Sequence, residues 1–138
     1  MREGRNRLSA YDASEGALYV LFAYALIHHP ASPRTLAIEN IDHALHPRLA
    51  RGLIDALASE TKTTGRQLLV TTHNPLVLDG LDLRDDAIRL FTVDRNKKGH
   101  TLIERLKWSD ALAKANASGL TLSQMWTQGL FGGVPNIF

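Results

Sequence analysis

The sequence contains no cysteine, and its 138 residues include no long uninterrupted apolar run. Without cysteine there are no disulfide bonds, no thiolate zinc site and no cysteine nucleophile, so folding depends on core packing. The longest apolar stretch, 17–27, is broken by tyrosines and is shorter than the ~20 residues of a membrane-spanning helix. The basic N-terminus leads into no signal-peptide pattern. These features predict a cytoplasmic protein with no membrane partner.

A strong excess of charge of either sign is also lacking. Sixteen basic and fourteen acidic residues leave a formal net charge of +2, too little to predict a nucleic-acid-binding surface. The phosphate loop Gly-x-x-x-x-Gly-Lys-Ser/Thr, whose amides and lysine hold nucleotide phosphates, does not occur in the chain. The part that normally grips a nucleotide is therefore missing from these residues.

The first half of the chain has the pattern of a βαβ unit. Apolar spacing predicts a helix from Glu15 to His29, with a stripe of Leu18, Leu21, Phe22, Ala25 and Leu26. Short apolar runs predict strands at 35–39 and 67–72, the first buried on both faces, and a helix at 48–59 lies between them. Residues 61–65 are interpreted as a polar connection. A strand, a crossover helix and a second strand predict an α/β fold with a parallel sheet.

The second half adds a hairpin and short helices. A short helix is predicted at 75–80, followed by strands at 87–93 and 101–106 that form a β-hairpin. Two helices are predicted near 109–116 and 120–128. We interpret 1–138 as a single domain, with a polar N-terminal loop over 1–12 and a Gly-rich tail over 129–138.

Polar side chains follow both predicted parallel strands. Glu39 and Asn40 follow the first strand, and His73 and Asn74 follow the second. Because ligands of parallel sheets bind at the carboxyl ends of the strands, these residues are candidates for one site. Glu39 is placed to hold the water shell of Mg²⁺, or simply to cap a turn or pair with an arginine. His73 is placed to contact a terminal phosphate, or is an ordinary turn histidine.

Three other groups have a functional and a structural interpretation. Ser14, Glu15 and Gly16 open a helix, so they either face an anion or provide an ordinary helix cap. A metal cluster is a weaker alternative, because its spacing fits no zinc pattern; its members would be Glu39, Asp42, His43 and His46. The aromatic side chains Trp108, Trp126 and Phe131 form a docking surface or pack against the sheet.

Together the segments over 8–80 resemble the C-terminal half of ABC-type ATPase heads of the RecF, SMC and OLD-like group, and more narrowly the AAA_21-like ATPases of bacterial defence systems. The segment 8–16 is similar to the degenerate signature loop, with Ser14 and Gly16 at phosphate-contacting positions. The segment 38–47 resembles the Walker B strand and D-loop, and 72–75 resembles the switch-histidine loop. Residues 123–135 resemble the tail of some members.

The resemblance implies a P-loop NTPase-like three-layer lobe that lacks the Walker A portion. It implies ATP and Mg²⁺ as cofactors once a Walker A-bearing N-terminal lobe or second protomer is present. Glu39 would hold Mg²⁺ through water, Asn40 would position the attacking water, and His73 would contact the terminal phosphate. Ser14, Glu15 and Gly16 would act on the partner's nucleotide. The resemblance also implies a homo-oligomer and nucleic-acid contact through the full assembly.

Two departures keep other functions open. The second Walker B acid of the family is replaced by Asn40, and an amide cannot accept the proton of water, so hydrolysis is slow or Asp42 substitutes. With the missing phosphate loop, this favours as an alternative a non-catalytic dimerisation or interaction module. A third alternative is a metal-dependent hydrolase that uses Glu39, Asp42, His43 and His73. Defence, DNA repair and chromosome maintenance all use heads of this type.

Overall fold

The computed structural model describes residues 14–133. The predicted N-terminal loop, most of the signature-like segment 8–16 and residues 134–138 of the predicted tail lie outside this part. In chain order the elements are α1 (Glu15–His28), β1 (Thr35–Ile38), α2 (Pro47–Thr64), β2 (Gln67–Val70), a 3-10 helix (Pro75–Gly80), β3 (Leu90–Arg95), β4 (Thr101–Leu106), α3 (Asp110–Ala117) and α4 (Leu122–Thr127).

Helix α1 ends one residue before its predicted end, but the predicted apolar stripe does not mark its buried face. Ala23 and Ile27 are the fully buried side chains of the helix. Leu21 is 64% exposed and Phe22 is 54% exposed, and Leu18 is exposed as well. The stripe prediction was wrong because α1 is apolar on nearly every side, so its sequence pattern does not select a buried face.

Strands β1 and β2 pair in parallel, in the register Thr35 to Gln67 through Ile38 to Val70. Both strands are shorter than predicted. Leu36 and Ile38 are buried against α1 and α2, whereas Ala37 is exposed and Leu69 is 52% exposed on the other face. The prediction that β1 is buried on both faces was therefore wrong. Within residues 14–133, helices cover one face of this sheet.

Helix α2 is longer than predicted and includes the segment that was interpreted as a polar connection. Its last turns are Thr-rich, and the hydroxyls of Thr61 and Thr64 donate to the carbonyls of Ala58 and Glu60, each at 2.9 Å. These bonds satisfy the hydroxyls inside a helix. Gly65 ends the helix with φ of 67°, the left-handed conformation that glycine adopts easily. Its buried face includes Ala50 but not Leu49, which was predicted to be buried and is exposed.

The second half forms its own apolar cluster. Strands β3 and β4 are antiparallel, as predicted, and pair Leu90 with Leu106 through Arg95 with Thr101. Trp108, Trp126 and Phe131 are partly buried in this cluster, which favours their packing interpretation. The Asp79 carboxylate accepts hydrogen bonds from the amide and hydroxyl of buried Ser123, both at 2.8 Å. This contact fixes the N-terminus of α4 to the 3-10 helix.

The result is a mixed α/β structure with a short parallel sheet, an antiparallel hairpin and helices, as the sequence predicted. It is compatible with a lobe of a P-loop NTPase. Among residues 14–133, no helix combines the length and the apolar character that crossing a membrane requires.

Candidate functional site

The loops that follow β1 and β2 lie at the same edge of the parallel sheet and are joined by Thr71. The Thr71 amide donates to the Ile38 carbonyl at 3.1 Å, and the Thr71 carbonyl accepts from the Ile41 amide at 3.0 Å. The Thr71 hydroxyl accepts from the Asn40 amide at 3.0 Å. Because the strands are parallel, their carboxyl ends place Glu39 and Asn40 beside the loop that carries His73.

Asn40 makes the sharp turn that ends β1. Its φ is 50°, a left-handed conformation that asparagine adopts more readily than most residues. Ala44, further along the same loop, has φ of 59°. The backbone conformation is therefore one reason for an amide residue at position 40, in addition to any role in water positioning.

The side chains of Glu39 and His73 are both exposed. Among residues 14–133, neither forms a hydrogen bond or an ion pair, so the interpretation of Glu39 as the partner of an arginine has no support there. A carboxylate and an imidazole thus face solvent at the sheet edge. Oxygen ligands and retained waters suit Mg²⁺, and an imidazole can donate to a phosphate oxygen.

A second bridge between the two loops involves Thr72. Its hydroxyl donates to the Asp42 carboxylate at 2.6 Å and accepts from the Asn74 amide at 3.0 Å. The Asn74 side chain in turn accepts from the Leu76 amide and begins the 3-10 helix. Asp42 therefore holds the loop that carries His73, and Thr72 occupies one of its oxygens.

The N-terminus of α1 packs against the loop between β1 and α2. The Ser14 hydroxyl accepts from the Ala17 amide at 3.2 Å, which is the ordinary helix-cap interaction. A Cβ atom at Gly16 would lie 3.0 Å from the Ala44 carbonyl oxygen and 3.2 Å from Leu45 Cδ2. Glu15 Oε1 lies 3.8 Å from His43 Nε2. Ser14, Glu15 and Gly16 thus form a surface continuous with this loop.

Tyr19 connects α1 with the end of β1. Its hydroxyl lies 3.5 Å from the Asn40 carbonyl oxygen, to which it donates a long hydrogen bond. Burial, and secondly the Asp42 carboxylate, raise the pKa of the Tyr19 phenol above its usual value. The sequence pattern does not single out Tyr19, Thr71 or Thr72. The two threonines stand beside His73 in the sequence, but their partners across the junction lie at the end of β1 and in the loop that follows it.

The metal-cluster alternative receives no support from the described part of the chain. No group of three or more histidine, aspartate or glutamate side chains there is arranged to hold a metal ion. His46 instead caps α2, where its Nδ1 accepts from the Arg48 amide at 3.3 Å. The third alternative, a hydrolase with a four-residue metal site, has no ligand cluster among residues 14–133.

A protein-family model described as "AAA domain, putative AbiEii toxin, Type IV TA system" matches residues 2–79. The match spans more than half of the chain and includes both parallel strands, α1, α2 and the two loops at the sheet edge. No curated protein matches the sequence. A P-loop ATPase-like domain and general use of nucleotide and Mg²⁺ agree with this match. The chain belongs to this family of AAA domains.

Proposed function

We propose that this chain is the C-terminal lobe of an ABC-like ATPase head. In this proposal the chain contributes the signature, Walker B and switch-histidine motifs, and a phosphate-loop-bearing lobe or second protomer contributes the Walker A loop. ATP and Mg²⁺ are bound when the two are combined. The observation that carries the proposal is the junction at Thr71, which binds the Glu39–Asn40 loop to the loop of His73.

Each exposed residue of the junction has a distinct role in the proposal. Glu39 orients the water shell of Mg²⁺, and the metal supplies charge neutralisation of the phosphates when it is bound. Asn40 hydrogen-bonds the attacking water, and His73 donates to the terminal phosphate. Asp42 lies in the same loop and is held at the junction by Thr72, so in this proposal it substitutes for the missing second acid.

The N-terminus of α1 acts on the nucleotide of the other half of the assembly. This N-terminus consists of Ser14, Glu15 and Gly16, which come directly after residues 8–13 in the sequence. It lies against the loop that contains Ala44. The helix is 14 residues long, so its N-terminal amides carry the partial positive charge that favours an anion. A homo-oligomer, or a pair of lobes, brings this surface to a nucleotide that the chain's own junction does not hold.

The substitution Glu39→Gln tests the proposal in a head reconstituted with a phosphate-loop lobe from the genomic neighbourhood. We expect Mg²⁺-dependent ATP turnover to fall about tenfold or more, since losing ~1.4 kcal/mol of transition-state stabilisation gives that factor. Glu104→Gln is the matched control, because Glu104 is also exposed but lies on β4. Equal turnover of the two variants would remove Glu39 from the mechanism.

The second candidate function is a non-catalytic interaction module. It is favoured by Asn40 in place of an acid and by the exposed apolar side chains Leu21 and Phe22. Asn40→Glu discriminates the two functions in the reconstituted head, with Asn40→Gln as the control because it imposes the same left-handed strain without a carboxylate. A gain of hydrolysis in the first variant alone supports an ATPase weakened by Asn40. No effect on hydrolysis or nucleotide-dependent assembly supports the module.

The family description refers to AbiEii toxins and type IV toxin–antitoxin systems. We propose on this basis that the ATPase cycle serves antiphage defence, ahead of DNA repair and chromosome maintenance. Loss of protection against phage in a strain that carries the Glu39→Gln protein is the expected result. Unchanged protection would separate the cycle from defence.

A further inference from the structure

The hairpin of β3 and β4 has two faces of different character. Residues that pair directly across the two strands share a face, and one face carries Leu90 and Leu106, which pack into the second apolar cluster. On this packed face the Asp94 carboxylate accepts from the Gly133 amide at 2.8 Å. The opposite face, here called the outer face, consists of Phe91, Val93, Arg95, Thr101, Ile103 and Arg105.

Three apolar side chains of the outer face, Phe91, Val93 and Ile103, form an apolar strip. Val93 pairs directly with Ile103, and Phe91 precedes Val93 by two residues on the same strand. Each of the three side chains is at least 50% exposed, so nothing among residues 14–133 covers the strip. Contiguous exposed apolar surface is typical of an interaction site.

The charged residues of the hairpin are divided between its two faces. Both acidic residues of the strands, Asp94 and Glu104, lie on the packed face. Arg95 and Arg105 lie on the outer face. The charge of Arg105 is compensated, because its guanidinium lies 3.2 Å from the Asp86 carboxylate. Arg95 is exposed and forms no ion pair among residues 14–133.

The turn between the strands adds two exposed cations, Lys97 and Lys98, which also form no ion pair in the described part of the chain. Other residues hold this turn. The Asn96 side chain accepts from the amides of Lys98 and His100, each at 2.9 Å. Gly99 has φ of 80°, a left-handed conformation that glycine adopts easily. The lysine side chains are therefore not needed for the turn and are free to contact a partner.

The combination of cations and exposed apolar surface fits a single-stranded nucleic acid. Its phosphates bind cations, and its unpaired bases stack on aromatic side chains. A duplex keeps the faces of its bases stacked inside, so the apolar strip would face phosphates. An acidic peptide would satisfy the cations and leave the strip exposed. The formal net charge of +2 does not reveal this surface, because acidic residues elsewhere in the chain balance its cations.

We propose that the outer face of the β3–β4 hairpin and the adjoining turn bind single-stranded nucleic acid. Arg95, Lys97 and Lys98 contact phosphates, while bases stack on Phe91 and cover the apolar strip. Phe91 and Arg95 are four residues apart on β3, which is about 13 Å along a strand, so the contact takes few nucleotides. The inference goes beyond the proposed function, because the hairpin is a separate sheet from β1–β2 and its binding needs no ATP.

Fluorescence anisotropy with the whole chain and a labelled oligothymidylate tests this binding in the absence of ATP. An oligonucleotide of about 16 nucleotides is long enough for one single-strand-binding domain. We expect a Kd of about 10⁻⁴–10⁻⁶ M, and three phosphate contacts predict a slope of about −2 for the logarithm of the binding constant against that of the salt concentration. A Kd weaker than about 1 mM, or a slope near zero, would overturn the inference.

A matched pair of double variants tests the turn. Lys97→Gln with Lys98→Gln removes two of the three phosphate contacts, so we expect the affinity at low salt to fall about tenfold or more and the slope to approach −0.7. Arg51→Gln with Lys114→Gln is the control, because it removes the same charge from exposed positions on α2 and α3. An equal loss of affinity in the two double variants would overturn the inference, since only net charge would then matter.

Phe91→Leu tests base stacking, with Phe22→Leu as the control because Phe22 is 54% exposed on α1. We expect the first variant to weaken binding about fivefold or more and the second to leave it within about twofold. Equal affinities would overturn the inference. If Phe91→Leu does not fold, NMR titration of the wild-type chain decides. The oligonucleotide should then shift the amides of 93–98 and not those of α2, and the reverse would overturn the inference.

Competition with the labelled oligothymidylate separates this partner from other anionic ones. We expect unlabelled oligothymidylate to displace it better than poly-glutamate, a duplex of the same length or phosphatidylserine vesicles, each at equal concentration of charge. Better displacement by any of these three would overturn the inference and assign the outer face to an acidic polypeptide, a duplex or a lipid surface.

Discussion

Thr72 connects the loop of His73 to the loop of Asp42, and its hydroxyl serves as donor and acceptor at once. The position of His73 after a strand could be predicted from the sequence, but the hydrogen bond between Thr72 and Asp42 could not. Threonine is common in strands and loops for local reasons, so its partner depends on tertiary structure. Gly16 is likewise predictable as a motif residue, whereas its close approach to Ala44 depends on how α1 packs.

Thr72→Val removes the donor to Asp42 and retains the shape of the side chain. We expect a loss of about 1–2 kcal/mol in the free energy of unfolding, since the half-buried carboxylate loses its partner. Thr72→Ser keeps the hydroxyl and should stay within ~0.5 kcal/mol of the wild-type chain. Urea denaturation measures both. Equal stabilities of the valine and serine variants would show that the bridge does not stabilise the junction.

The Tyr19 phenol reports the charge of Asp42. Its pKa is raised by burial first and by Asp42 second, so Asp42→Asn should move the pKa toward the usual value of about 10. A raised pKa means that the folded state holds the proton more tightly. The corresponding stability is present below the usual pKa and is lost as the pH rises through the raised one. NMR titration of Tyr19 measures the change, with Asp55→Asn as the control on the exposed side of α2. The same pKa in both variants would contradict the coupling.

At the scale of elements, the order of helices and strands could be predicted from the sequence, but the buried face of α1 could not. Regular spacing, the N-cap Ser14 of α1 and Pro47 at the first position of α2 mark where these helices begin. Which face of α1 is buried depends on the elements that pack against it, because the helix is apolar on nearly every side. The Thr-rich end of α2 was interpreted as a loop, since threonine has a low helix propensity. Hydroxyl-to-carbonyl bonds within the helix and Gly65 at its end override that preference.

Gly80 and Gly52 provide a matched test of how α2 packs on the 3-10 helix. A Cβ atom at Gly80 would overlap the Arg51 carbonyl oxygen and the Ile54 side chain, whereas one at Gly52 would meet nothing within 4 Å. We expect Gly80→Ala to lower the free energy of unfolding by about 1–3 kcal/mol. Gly52→Ala, inside α2, should raise it by ~0.5–1 kcal/mol. Thermal and urea unfolding measure both. A neutral Gly80→Ala variant would mean that these two helices are not in close contact.

At the scale of the whole molecule, large apolar side chains are exposed on α1, on the open face of the parallel sheet and on the β3–β4 hairpin. Leu21, Phe22 and Leu69 are each more than half exposed. Contiguous exposed apolar surface is typical of an interaction site. The sequence showed that the phosphate loop is missing from these 138 residues. It could not show that β2 has β1 as its one strand partner among residues 14–133, because strand pairing depends on tertiary structure.

We propose that this chain completes a nucleotide site together with a phosphate-loop lobe. Calorimetric titration of Mg-ATP into the purified chain, and then into the chain mixed with that lobe, is the test of this proposal. We predict binding in the mixture and no binding to the chain alone. Binding to the chain alone, or no binding in a mixture whose lobes demonstrably associate, would contradict the claim.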